Sequence, residues 1–146
     1  MSNILSKDKV ILNGTAQDKT EAIRMAGELL VKAGHVSVDY VDKMLEREEI
    51  ASTYMGGGLA IPHGTKEAKS MVASTGLSIV RFPEGVDFGG DEPAFVVIGI
   101  AAAGGDHMEI LTNVAMIFTD DESIGKVMDA TTEEEILAIF EGGMGA

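Results

Sequence analysis

One stretch constrains this 146-residue chain more than any other: Ala94-Phe95-Val96-Val97-Ile98-Gly99-Ile100-Ala101. It is an almost continuous apolar run, β-branched in its middle, and it carries no charge. A strand with one wet face alternates polar and apolar residues; a run like this one is a central strand covered on both faces. Such a strand needs cover from both sides, and the rest of the chain supplies it as helices. The fold class read from the sequence is therefore α/β, a mixed β-sheet flanked by helices on both faces.

The helical patterns stand on either side of that strand. Ala22, Ile23, Ala26, Leu29, Leu30 and Ala33 recur at helical spacing, with Asp18 and Glu21 spaced as a capping box and Gly34 as a stop. Ser37 is placed to cap a second helix that turns Val41, Met44 and Leu45 inward and runs toward Arg47 and Ile50. After the apolar run, Asp106 and Glu109 have capping-box spacing for a helix with Ile110, Leu111, Val114, Ala115 and Phe118 as its stripe. A short helix is expected over Ser123 to Asp129. A last one, boxed by Thr132 and Glu135, carries Ile136, Leu137, Ile139 and Phe140 and stops at Gly142-Gly143. Before the central strand, Met71 to Phe82 reads as a second strand, and Pro83-Glu84-Gly85 as a turn closing it. No repeat, linker or composition shift divides the chain, so residues 1–146 are expected to form a single domain with its core over roughly 4–142.

Composition narrows the function classes. The absence of cysteine removes disulfides, thiolate nucleophiles and cysteine metal sites. Eleven basic residues against twenty-four acidic ones give a net charge of −13, and such a surface repels nucleic acid and anionic lipid. Simple solubility is the plain reading of that acidity; docking of a basic protein partner is the sharper one. No apolar segment reaches the roughly 18 residues of a membrane span, and the start of the chain lacks the apolar core of a signal peptide. A cytoplasmic location and no direct membrane insertion are the expectations.

Three histidines are the candidates for chemistry. His35 follows Gly34 between two helices and reads as a solvated turn residue with no functional role. His63 sits in Ala60-Ile61-Pro62-His63-Gly64-Thr65. Pro62 stiffens the backbone before it, and Gly64 leaves room after it, so the imidazole stands on a rigid, open corner. On the tripeptide alone an ordinary turn histidine is the better reading. His107 falls in the first turn of the helix begun near Asp106, where unpaired N–H groups and the helix dipole favour an anion. Arg47 ends a helix rich in glutamates; a solvated, glutamate-paired arginine is the plain reading for it. Together the three suggest a phosphate site. A neutral imidazole can attack phosphorus directly, and an arginine fork and a ring N–H can steady the charge that develops. No Gly-Lys-Ser or Gly-Lys-Thr follows a glycine loop, so a nucleotide-dependent kinase is unsupported.

These residues lie in a longer resemblance. Tyr54-Met55-Gly56 and Ala60-Ile61-Pro62-His63-Gly64-Thr65 are similar to the phosphorylation motif of the mannitol/fructose class of phosphotransferase system enzyme IIA. Thr20-Glu21-Ala22-Ile23-Arg24, Met44-Leu45-Glu46-Arg47-Glu48, Pro83-Glu84-Gly85-Val86-Asp87-Phe88-Gly89 and His107-Met108-Glu109-Ile110-Leu111 follow the same family's order. The Gly64-to-Lys69 and Pro83-to-Gly89 stretches look more mannitol-like than fructose-like. The resemblance implies that His63 takes a phosphoryl group on Nε2 from the phosphocarrier protein HPr. It implies transfer onward to a cysteine of the IIB domain of the cognate sugar permease. His107 and Arg47 are then active-site residues, and no metal or organic cofactor is expected. Gly57 departs from the family, which usually has a polar or acidic residue there. The sequence lacks a membrane part, whereas some mannitol permeases carry IIA fused to the transporter; a stand-alone IIA and a domain cut from a longer protein both fit. Three rivals remain: a fructose-specific IIA, a regulatory IIA-like phosphoprotein, and a metal-dependent hydrolase with His63, His107 and Asp106 as ligands. An apolar docking rim is expected from Met55, Leu59 and Met108.

Overall fold

The computed structural model describes residues 5–90, 92–103 and 107–143. Among them the chain runs through a 3-10 turn (Lys7–Lys9), β1 (Val10–Ile11), α1 (Lys19–Lys32), α2 (Asp39–Ile50), β2 (Tyr54–Gly56) and β3 (Leu59–Ala60). A second 3-10 segment (Lys66–Met71) leads to β4 (Gly76–Val86) and β5 (Ala94–Ala101), then α3 (His107–Ile117), α4 (Asp121–Asp129) and α5 (Glu133–Gly143). The strands form one sheet in the order β1-β4-β5-β3-β2. β1 is parallel to β4 and β3 is parallel to β5, while β4–β5 and β2–β3 are antiparallel, so the sheet is mixed.

The apolar run is β5, and it has neighbours on both sides in the sheet. Its alternate side chains divide between two cores. Val96, Ile98 and Ile100, with Leu77 and Ile79 of β4, pack against Ile110 and Val114 of α3, Val127 of α4, and Ile136 and Phe140 of α5. Val97 and Ala101, with Val80 and Phe82, pack against Ala22, Ile23, Ala26 and Leu30 of α1 and Tyr40 and Met44 of α2. At Gly99 a side chain would meet Ala26 Cβ at 3.1 Å, so the missing Cβ lets α1 lie directly on β5.

Local chemistry explains most helix ends. Asp18 accepts from Glu21 N–H at 3.0 Å, and Glu21 reaches back to Gln17 N–H at 3.3 Å, a capping box displaced by one residue. Gly34 ends that helical stretch with φ +83°. Thr132 Oγ1 takes the Glu135 N–H at 3.2 Å at the start of α5. The expectation at Ser37 fails. Val38 holds the N-cap position of α2 without a side-chain cap, while Ser37 gives its N–H to Met71 O and its carbonyl to Tyr40 N–H. Asp39 and Asp42 serve the first turn instead, through the helix dipole. α4 begins two residues earlier than expected, capped by Asp120. The capping role of Asp106 lies outside the described residues. Pro83-Glu84-Gly85 is not a closing turn: β4 runs through it to Val86, with a register shift between Arg81 and Val86 and Gly85 at φ +80°. The irregularity absorbs a residue without a donor, as bulges do.

His35 also needs correcting, because it is buried rather than solvated. Its Nε2 lies 2.6 Å from Lys9 Nζ and its Nδ1 lies 2.8 Å from Ser74 Oγ. An ammonium only donates, so Nε2 accepts and Nδ1–H faces the serine. Burial disfavours the cation of both groups, lowering Lys9 to about 8 and bringing His35 below its usual value, with the Lys9 charge adding to the second effect. A base depressed in the folded state contributes stability that is present above its unfolded pKa and lost as pH falls through its folded one. The unfolding free energy should therefore rise by up to about 2 kcal/mol from pH 8 to pH 9.5, a rise that Lys9→Met abolishes. It should also decline below pH 6.5 as His35 is forced to charge beside Lys9. Urea titrations across that range measure both.

Candidate active site

His63 is set by three elements. β2 and β3 form a hairpin whose turn is Gly56-Gly57-Gly58, all three at positive φ, a conformation glycine adopts without strain. The hairpin sends the chain along β5, where Leu59 and Ala60 pair with Val96 and Val97. The pairing is resumed past Pro62 by a parallel bridge between His63 and Ile100, in which Ile100 N–H donates to Pro62 O at 3.0 Å. His63 thus stands at the C-terminal end of the central strand, where ligand sites of α/β sheets gather.

Its imidazole is half-buried, and Nδ1 lies 2.8 Å from the carbonyl oxygen of Ile61. A carbonyl can only accept, so Nδ1 carries the proton in this contact. The neutral ring is then fixed in one tautomer, with the in-plane lone pair on Nε2. That is the state an imidazole needs to act as a nucleophile without a separate base.

The backbone around the ring is tied to α2. Glu48, itself buried, accepts from Thr53 N–H at 2.9 Å and from Thr53 Oγ1 at 2.6 Å, and Lys19 Nζ lies 3.4 Å away. Thr53 O in turn accepts from Ile61 N–H at 3.0 Å, and Ile61 supplies the carbonyl on His63. Neither Glu48 nor Tyr40, whose hydroxyl reaches the next peptide, stood out in the sequence. Tyr40 bonds a residue 60 positions away, and Glu48 takes its bonds across the loop after α2, so neither role shows in a local pattern.

Arg47 lies in the last turn of the same helix, on the stripe that Tyr40 and Met44 begin. Its Nη1 donates to Ala51 O at 2.7 Å, closing the helix end, so the expected pairing with neighbouring glutamates gives way to a C-terminal cap. His107 is the first residue of α3, the helix that follows β5 in the chain. The His107 side chain, that of Met108, and Asp106 lie outside what is described. The apolar rim changes as well: Met55 is exposed, but Leu59 is 2% exposed and belongs to the core. Among the described residues no three acidic or histidine side chains are grouped to hold a metal ion.

The fold is thus an α/β domain with a mixed sheet between helices and with His63 at the C-terminal end of its central strand. Residues 3–142 match the family described as phosphoenolpyruvate-dependent sugar phosphotransferase system, EIIA 2, and the chain belongs to that family. A Bacillus subtilis (strain 168) protein named mannitol-specific phosphotransferase enzyme IIA component is 47% identical over 137 residues, 94% of this chain and 96% of that one. The structure of Escherichia coli enzyme IIAMTL in its complex with phosphorylated enzyme IIBMTL is 41% identical with a TM-score of 0.89, covering 94% of this chain and 97% of that one. The crystal structure of IIA mannitol from the same organism is similar at a TM-score of 0.86 and 41% identity, covering 93% and 98%.

Proposed function

We propose that this chain is a phosphoryl carrier of a mannitol phosphotransferase system. Nε2 of His63 takes the phosphoryl group from phospho-HPr and passes it to a cysteine of the IIB domain of the permease. The observation that carries this reading is the Nδ1–H contact to Ile61 O, which leaves Nε2 as the attacking nitrogen. The lone pair of Nε2 forms the new P–N bond as the bond from phosphorus to HPr breaks. While Nδ1 keeps its proton on the carbonyl, the phosphorylated ring is cationic. It then leaves as a neutral imidazole when the thiolate of IIB attacks, so the two steps together return the ring to its starting form. Arg47 and His107 are assigned to steadying the equatorial oxygens, which gather charge during transfer. The mannitol assignment draws on the names of the Bacillus subtilis relative and the Escherichia coli neighbours, and the IIB partner on the second protein of the Escherichia coli complex. Among the described residues no helix is long and apolar enough to cross a membrane, and with HPr as donor the site of action is the cytoplasm.

The test is a two-step transfer. The chain is first charged with phospho-HPr and separated, then mixed with a mannitol-type or a fructose-type IIB domain. Discharge at least about tenfold faster onto the mannitol IIB is expected, since a partner match is read as a difference of affinities. Equal or reversed preference removes mannitol from the reading. No uptake from phospho-HPr removes the carrier role itself.

A further inference from the structure

We propose that Tyr40 is a positioning residue for His63: its hydroxyl forms the last rung between the His63 corner and β5, and thereby fixes the pose and tautomer of the imidazole. This rests on His63 being the phosphoryl acceptor. A parallel pairing centred on His63 and Ile100 calls for two bonds, from Ile100 N–H to Pro62 O and from Gly64 N–H to Ile100 O. The first is present at 3.0 Å. In the second the phenol is interposed, accepting from Gly64 N–H at 2.9 Å and donating to Ile100 O at 2.9 Å. One hydroxyl has one proton and two lone pairs, so both bonds are satisfied at once.

The ring is held as firmly as its hydroxyl. Tyr40 is 4% exposed, and a Cβ on Gly64 would lie 2.6 Å from its Cε1, so the ring packs flush against the peptide that follows His63. Burial raises the phenol's pKa above its ordinary value, which keeps the proton that Ile100 needs. The residue before His63 is anchored to Ile100 N–H and the residue after it to Tyr40, whereas the ring itself is anchored to Ile61 O. Without the hydroxyl, Gly64 and Ile100 must close on each other or admit water. Either outcome shifts the peptide that aims the ring, and a displacement of about 1 Å at a reacting group can slow a transfer by about two orders of magnitude.

Tyr40→Phe is the test, read by long-range proton–nitrogen NMR of the His63 ring and by the rate of phosphate uptake from phospho-HPr. Met44→Ala, one turn along the same helix face and also fully buried, controls for general loosening of α2. Folded Tyr40→Phe should move the His63 nitrogens from the Nδ1–H signature toward values averaged over both tautomers, with uptake slowed by at least about tenfold. Met44→Ala should lower the melting temperature while leaving the ring signature in place. An unchanged signature in folded Tyr40→Phe overturns the proposal, whatever its rate; so does the same shift in Met44→Ala. Should Tyr40→Phe fail to fold, the Gly64 amide of the unsubstituted protein decides: it resists exchange if the phenol holds it, and exchange at the rate of an open loop overturns the proposal. A wild-type chain that takes no phosphate on His63 removes the reading beneath the proposal, and the ring signature then judges positioning alone.

Discussion

Arg81→Met is expected to lower the unfolding free energy by about 3–5 kcal/mol, the loss typical of leaving several buried polar groups without their cation. Arg81 points inward from β4 and is 7% exposed. Its Nε donates to Leu12 O at 2.9 Å, just past β1. Its Nη1 lies 2.9 Å from Val127 O, 3.1 Å from Met128 O and 2.6 Å from Ala130 O. Those three carbonyls belong to the end of α4, where the last turn has no helical donors left and the dipole is negative. One guanidinium therefore caps a helix and ties it to two strands. Methionine matches its length but offers no donor, so the carbonyls of α4 would face a core they cannot bond to. Lysine should recover only part of the loss, because a single ammonium cannot reproduce the planar fork. Urea unfolding of the three proteins provides the comparison; a methionine variant within 1 kcal/mol of wild type contradicts this role for Arg81.

The largest functional effect is expected from His63→Gln. The ring is half-buried, and its bond to Ile61 O is an ordinary hydrogen bond, worth about 1 kcal/mol in net stability. The variant should therefore fold with a melting temperature close to that of wild type, and α2 and β5 should keep their exchange protection. Its uptake of phosphate from phospho-HPr should fall to background, because an amide has no lone pair of comparable nucleophilicity to offer phosphorus. The two variants separate stability from chemistry: Arg81→Met is predicted to unfold easily yet be phosphorylated while folded, and His63→Gln to fold well yet remain unphosphorylated.

Much of the fold was legible because it is written in local patterns. β5 carried its double burial in eight consecutive residues, and the boxes at Asp18 and Thr132 marked helix starts that the hydrogen bonds support. β1 and β3 were not legible, since two residues show no period and their pairing is decided by partners far along the chain. His35 was misplaced for the same reason: its partner Lys9 lies 26 residues away, and only the fold brings the two together. Pro83 signals a break, but a register shift accommodates it within a strand that continues. At the site, the Pro62-His63-Gly64 corner could be read directly from the chain. The carbonyl on Nδ1 and the bonds of Glu48 to Thr53 could not, because they depend on the exact backbone path over a few residues, and the Tyr40 rung could not, because it joins α2 to a strand end 60 residues away.

The nitrogen that carries the phosphoryl group is the most direct test of His63 as acceptor. Uniformly nitrogen-15-labelled chain, charged with phospho-HPr and examined by long-range proton–nitrogen NMR, answers that in one spectrum. A phosphorus-bonded Nε2 on His63, with Nδ1 still protonated against Ile61 O, is the predicted result. Phosphorus on Nδ1 of His63, or on His107 or His35, would contradict it.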